Sequence, residues 1–446
     1  MKDNVDQLVW AHPPPNNNSP HDSASQLFYR VVLFLKSVGN LPVQTGRVAN
    51  FGHHHRQIIN YTFSIKSFTF PYCFIVTFLV VLFWGQFIAE YANMNFFSSA
   101  ILIEQNFEVV SGNSSTSHTN NQLNPLSFAQ TLVYVVFPLT CAIQFITTIC
   151  TSSSFAKYAN SWTTFEEKFQ EIFKISSFIS EPVFPRTIRF HRFAWNFTIF
   201  LVVLMGLTIY PMMKAQELLA TSSIKMTWPV HLVSGLTILT SLLLDLRSNL
   251  MLFINEEAFS QIGIKIQAEI ETSSQSPRKI QAGLVQDWKV LISSASNQAT
   301  SGGEILSTAL LMELFNLCCT WCSVIYQTIF FAQRDGLEWF SFKYLGPSYF
   351  LCGVTYIRLA SKIFFAEKME IVEAKIVKTL QLMEIRHNDL TTSLETNITI
   401  DWIVPTPSKV NIANLFPLNR SLLLGVMGQT ITYVLVLLQF QTIQGT

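Results

Sequence analysis

Five residues near the end of the chain, Ser421, Gly425, Gly428, Thr432 and Gln439, follow one another at spacings of four, three, four and seven. On an α-helix, at about 100° per residue, they fall within about 60° of one another. The residues around them are mostly Leu, Val and Ile. A small, polar stripe on an otherwise apolar helix needs protein or water beside it, not lipid. Two chemistries answer to that pattern. One is close helix packing of the small-xxx-small kind. The other is the lining of a water-filled pore, where a neutral Gln amide offers carbonyl oxygen to a cation without holding it too tightly.

Other residue groups with chemical potential carry less. His53, His54 and His55 are adjacent, so they do not share one helix face, and no Cys or carboxylate cluster accompanies them. A solvated turn is expected there, and no metal. Cys319 and Cys322 have CxxC spacing without a second ligand pair, which points to free thiols within a helix. The sequence has no P-loop, nucleophile elbow or HExxH motif, so the chain is expected not to be an enzyme and to need no cofactor. Its net charge of +1 offers no basic surface for nucleic acid.

The elements that must carry the polar stripe are membrane helices. Apolar residues make up 49% of the 446 and charged residues 13%, against about 25% charged in soluble proteins. Seven apolar segments approach the ~20 residues needed to cross the hydrocarbon: 67–89, 127–150, 193–213, 229–252, 312–332, 343–364 and 420–440. Asp245 and Arg247 near the end of the fourth, and Arg358 in the sixth, belong at the inner interface or in a bundle cavity. Residues 1–25, which include a PPPNNNSP run, read as disordered, and 28–43 as an interfacial amphipathic helix.

Placing the N-terminus in the cytosol puts 23 Lys and Arg inside and 4 outside. The positive-inside rule therefore predicts a cytosolic N-terminus and an extracellular C-terminus. Asn113-Ser114-Ser115, in the 90–126 loop that holds no Lys or Arg, is then an outward-facing glycosylation acceptor. Beyond the sixth segment Phe365, Met369, Val372, Ile376, Leu380 and Met383 recur at steps of three and four, and Phe259 to Ile270 read similarly. Such helices extend into the cytosol and must bury their apolar stripes against one another. The expected fold is an all-α membrane protein of seven transmembrane helices with cytosolic helical extensions. Its parts are a cytosolic N-terminal region (1–66), a six-helix ligand-binding bundle (67–364), a cytosolic helical anchor (365–419), and a pore-lining seventh helix with a short outer tail (420–446).

Thr432-Tyr433, five hydrophobic residues, then Gln439-Phe440 resembles the C-terminal signature of the arthropod gustatory receptor family, at every signature position and close to the C-terminus. The run from Phe416 to Gly425, the early Leu27-Phe28-Tyr29-Arg30, Leu41-Pro42-Val43 and Tyr326-Gln327 are similar to the sugar receptor branch. Val434 departs from it, since many sugar receptors have Glu there.

The resemblance implies a plasma-membrane, ligand-gated, non-selective cation channel that senses taste. It implies a homo- or heterotetramer with other gustatory receptor subunits around a pore lined by the last helix. Thr432, Tyr433, Gln439 and Phe440 would then form pore and gate, with monovalent and divalent cations as permeant partners. A small tastant, a sugar by the branch, would enter from outside. The outer halves of segments two to six carry Tyr134, Tyr210, His231, Trp321, Tyr326, Gln327 and Tyr349. That set combines aromatic faces for sugar C–H surfaces with hydrogen-bonding groups for hydroxyls. Two other readings stay open at this level. A transporter of a small polar solute would show internal repeats, and none is found. A G-protein-coupled chemoreceptor would place its N-terminus outside.

Overall fold

The computed structural model describes residues 24–48, 58–86, 125–173, 184–186, 189–190, 192–200, 202–203, 228–275, 280–335, 339–386, 389–405, 408–412 and 415–444. Its elements are α1 (Ala24–Ser37), β1 (Val43–Val48), β2 (Ile58–Phe63), α2 (Thr69–Gln86), α3 (Pro125–Ile172), α4 (residues 192–200), α5 (Trp228–Gln275), α6 (Ala282–Asp335), α7 (Trp339–Arg386), α8 (Leu390–Ile403), β3 (Asn411–Ile412), β4 (Phe416–Pro417) and α9 (Arg420–Gln444). The architecture is all-α and multi-pass, with two small antiparallel hairpins.

Among the described residues three helices are long and apolar enough to cross a membrane: Thr69–Gln86, Leu139–Ile172 and Ala282–Ile329. A shorter apolar helix covers Arg420–Val436. The third expected segment, 193–213, is described only as far as residue 203. The fourth and sixth lie in α5 and α7, which hold Asp245, Arg247, Arg358 and Lys362 within their apolar stretches. Residues 1–23, the three histidines and Asn113 lie outside the described residues.

Four helices far exceed a bilayer. α3, α5 and α7 have 48 residues each and α6 has 54. At 1.5 Å per residue these are about 70–80 Å long, against a hydrocarbon core of about 30 Å. Residues 151–172 and 282–311, outside the seven apolar segments, are therefore continuous helix. α3 packs along α6, α5 along α7, and α6 bridges to α7. The best-filled core lies in this helical extension, where Trp162, Trp288, Phe155, Phe165, Phe169 and Phe259 are almost fully buried. The stripe beyond the sixth segment behaves as its spacing requires, for Met369, Ile376, Leu380 and Met383 are buried in α7.

The N-terminal elements are tied into this extension. α1 buries Phe28, Val31, Val32 and Leu35, and packs on α3 and α5. The side chain of Asn160 on α3 accepts from the Tyr61 N–H at 2.8 Å and donates to the Tyr61 carbonyl at 2.7 Å. It thereby acts as a further backbone partner for β2. Gly39 has φ +77°, and a Cβ there would lie 2.7 Å from Val76, so glycine is required twice over. In the middle of α6, a Cβ on Gly302 would meet Tyr158 at 3.3 Å and Asn255 at 3.4 Å, while one on Gly303 would meet Val410 at 3.5 Å.

Past the apolar part of α5, Glu256 and Glu257 are buried beside cations. Arg186 Nη1 lies 3.9 Å from Glu256 and 3.7 Å from Glu257, and Lys368 Nζ lies 3.1 Å from Glu256. Burial pushes the Glu257 carboxyl up to about 7, outweighing the Gln261 hydrogen bond and the Arg186 charge.

Candidate functional site

The polar residues of the bundle converge from four helices. On α6, Glu313, Asn316, Thr320, Ser323 and Gln327 lie at spacings of three, four, three and four, which puts them on one face, and all are buried. α3 contributes buried Thr140 and Gln144, α5 Ser241 and Asp245, and α7 Thr355, Arg358 and Lys362. Buried charges in such a bundle persist only when paired. Within this cluster Asp245 and Glu313 are matched in charge by Arg358 and Lys362, whereas buried Arg247 stands apart, with Nε and Nη1 unpartnered among the described residues. Arg358 donates through Nε to Asp245 and through Nη2 to Ser241 Oγ at 2.6 Å. Lys362 Nζ bridges Asp245 and Glu313, meeting both Glu313 oxygens at 2.5 Å. Ser241 Oγ lies 3.2 Å from Gln144 Oε1, which carries the network to α3.

This cluster clamps four helices together near the end of their apolar stretches from which the extension leaves. The gap bordered by Thr140, Gln144, Ser241, Asn316 and Arg358 is about 10 Å³, the space of roughly one water. No organic ligand fits at this level.

Sequence flagged Asp245 and Arg358 but missed Glu313, Gln144 and the role of Lys362. Lys362, one of the 23 Lys and Arg assigned to the inner side, is fully buried within the protein. Two signals were available. Glu313 is the single acidic residue of the 312–332 segment, and Lys362 follows Arg358 by four residues, on the same helix face.

The expected ligand residues are only partly brought together. Tyr210 lies outside the described residues, and of Tyr134 and His231 only the backbone is described, in α3 and α5. Pro138, four residues after Tyr134, has no N–H to offer the Tyr134 carbonyl. Gln327 is buried on the bundle face of α6 and donates to Ser323 Oγ at 3.1 Å. Trp321 sits on another face, its ring 6.3 Å from Tyr356. Tyr326 is buried one turn beyond Cys322, whose thiol is hydrogen-bonded to Thr430 of α9. Trp321, Tyr326 and Gln327 thus point at least about 100° apart rather than into one cavity. Tyr349 is partly exposed and hydrogen-bonded to Thr328.

The last helix starts from a fixed point. Asn419 Oδ1 accepts from the Leu422 N–H at 3.0 Å as an N-cap. Arg420 bonds Glu367 of α7 through its backbone N–H at 2.7 Å and its Nε at 2.6 Å. From there α9 packs chiefly on α6, burying Leu423, Thr430 and Val434. Ser421, Gly425, Gly428, Thr432 and Gln439 are exposed, as is Tyr433, and a Cβ on either glycine would meet nothing within 4 Å. The Phe440 side chain lies outside the description. Among the described residues, no group of three or more potential metal ligands occurs.

The architecture has solved counterparts. The insect olfactory receptor OR5 from Machilis hrabei in complex with eugenol superposes with a TM-score of 0.61 at 13% identity, covering 93% of this chain and 97% of that one. The same receptor's structure titled without eugenol gives 0.54 at 12% identity, over 93% and 98%. At such identities the likeness shows the fold alone. No curated protein matches the chain. A family model described as 7tm Chemosensory receptor matches residues 115–444, about three quarters of the sequence. The chain therefore belongs to the 7tm chemosensory receptor family, as a multi-pass membrane receptor rather than an enzyme.

Proposed function

We propose that the chain is a subunit of a taste receptor that is itself a ligand-gated, non-selective cation channel of the plasma membrane, opened by a small tastant of the sugar class. In this reading it has seven spans, a cytosolic N-terminus and an extracellular C-terminus, and α9 lines the pore. One observation carries it. Taking Thr430 as zero, the buried residues of α9 lie at about 0–40° and the polar stripe at about 160–220°. The stripe therefore points almost directly away from its own subunit. Small-residue packing within the chain does not account for it, and an isolated polar face in lipid is costly. Further copies around a shared axis would give it water and partners.

The extension supports assembly. On α8, Thr392, Thr396 and Thr399 are buried together with Ile400 and Ile403, while Leu390, Leu394 and Ile398, at steps of four, are exposed. An exposed apolar ladder of this kind marks a contact surface. The C-terminal Thr432-Tyr433…Gln439-Phe440 signature favours the gustatory branch, and family membership favours a receptor over a transporter.

Gln439 lies 19 residues beyond Arg420, about 28 Å along the helix and nearly the whole hydrocarbon thickness. Four copies would bring four neutral amides and flanking Phe440 rings to one narrow ring. Current recordings test this. Gln439→Ala should change conductance or produce opening without ligand, and Gln439→Glu should raise divalent permeability or block. Leu437→Ala, about 160° away on the helix, should do neither. If well-expressed Gln439 variants keep conductance, selectivity and basal opening, the stripe is a packing seam between subunits. A glycosylation assay tests the orientation separately: modification at Asn113 and none at Asn397 is expected.

A further inference from the structure

A crevice of about 220 Å³ lies between α4, α5 and α7, on the opposite side of the Asp245–Arg358 pair from the polar face of α6. Its walls are aromatic. Phe193 and Phe197 of α4 stack with centroids 6.1 Å apart and rings inclined by 11°. Its base is closed by Phe190 and Phe365, set edge to face at 5.1 Å. Phe193, Ile357 and Phe364 are exposed, with Phe193 and Phe364 at the inner ends of the apolar segments 193–213 and 343–364, so in the seven-span reading the crevice opens sideways at the inner edge of the hydrocarbon. Its inner end is polar. Ser361 Oγ lies 3.2 Å from Asn249 Oδ1, beside the Asp245–Arg358 pair. The Asn249 amide Nδ2 has no hydrogen-bond acceptor among the described residues.

We infer that this crevice is a binding site for a membrane amphiphile of the sterol class: a flat, rigid hydrocarbon ending in one hydroxyl. Three observations select that occupant. Pockets that enclose whole small molecules run to about 300–1,000 Å³, so a space of about 220 Å³ takes one end of a molecule whose remainder stays in lipid. Parallel phenylalanine faces suit a flat ring system, which gives up little conformational freedom on binding. The head region carries no spare cation, because the Arg358 guanidinium is engaged by Asp245 and Ser241 and the pair is neutral. A carboxylate or phosphate head gains nothing there. A hydroxyl can accept from Asn249 Nδ2 and donate to its carbonyl oxygen or to Ser361.

The test uses the full-length receptor in phosphatidylcholine nanodiscs with a photoreactive sterol bearing its diazirine on the ring system. Labelling is read by peptide mass spectrometry. Label is expected on the segments 190–197 and 357–364, reduced at least 5-fold by excess unlabelled sterol and unaffected by oleate. Phe197→Ala and Asn249→Leu should each lower saturable labelling about 5-fold or more, with unchanged elution on size exclusion. Where Asn249→Leu disturbs folding, Phe197→Ala, at a wall facing lipid, decides alone. Labelling that does not saturate means ordinary annular lipid and overturns the assignment. Competition by oleate but not by sterol overturns it in favour of an anionic lipid. A disulfide between copies carrying Phe193→Cys and Ile357→Cys overturns it in favour of a second subunit covering the crevice.

Discussion

Lys362→Met should destabilise the bundle about as much as the largest single losses of apolar volume nearby. The native cluster holds Asp245 and Glu313 against Arg358 and Lys362, a formal charge of zero. Removing the ammonium leaves two carboxylates against one guanidinium and strips Glu313 of the group that meets both its oxygens. Breaking one partner out of a buried ion pair costs about 3–5 kcal/mol. At roughly 2 °C per kcal/mol this lowers the melting temperature by about 6–10 °C. Glu313→Gln, which leaves one positive charge in excess, should cost a similar amount. The double variant restores neutrality, with Asp245 and Arg358 still paired, and should recover at least half of the summed loss. The assay is thermal unfolding of the solubilised full-length chain, followed by size exclusion. A double variant whose loss equals the sum of the singles would refute the cluster as a unit. A Lys362→Met melting temperature within about 2 °C of wild type would refute its burial.

The remaining predictions are independent of one another. Asn160→Ala removes both side-chain hydrogen bonds to the Tyr61 backbone, so stability should fall by about 1–3 kcal/mol, with hydrogen exchange rising first in β1 and β2. The Glu257 carboxyl is raised from 4.5 to about 7, so the folded state holds this proton more tightly than the unfolded chain. Wild-type stability should therefore fall as pH climbs from about 4.5 to about 7, and Glu257→Gln should flatten that fall, gaining up to about 3 kcal/mol above pH 7 in a melting series. Tyr326→Phe removes a buried hydroxyl with no partner among the described residues, so thermal stability should hold or rise. Gln327→Ala should shift ligand dose–response about 5- to 150-fold to higher concentration at unchanged surface expression, and an unshifted curve would take the α6 polar face out of the ligand site.

What sequence revealed and what it hid follow one physical division. Periodicity reports on a helix's own faces, so the α7 stripe through Met369, Ile376 and Met383 and the polar face of α9 were legible before any packing was known. Pairing between distant segments leaves no local trace. Arg358 meets Asp245 across 113 residues and Lys362 meets Glu313 across 49, and nothing in either segment names its partner. The angular spread of the expected pocket residues on α6 has a related reason. Trp321, Tyr326 and Gln327 were grouped by depth in the membrane, whereas their angles on α6 separate them. The three threonines of α8 are buried beside Ile400 and Ile403 because their hydroxyls find backbone carbonyls. Thr392 donates to the Ile280 carbonyl, and Thr396 and Thr399 donate to carbonyls one turn back in the same helix. Their small side chains then fit against α6 and α7, and the leucines are left outside.

Gly302 and Gly303 have a mechanical meaning. Two consecutive glycines make the middle of α6 the most easily bent part of a rod about 80 Å long. Tyr158 and Asn255 pack close to one glycine and Val410 lies beside the other, so the soft point is flanked on both sides. Val410 lies ten residues before Arg420, in the strap of chain that delivers α9. Flexure of α6 at this waist therefore pushes on that strap directly. In the proposed channel, a torque applied at one end of the rod would reach the base of the last helix without having to travel the rod's full length.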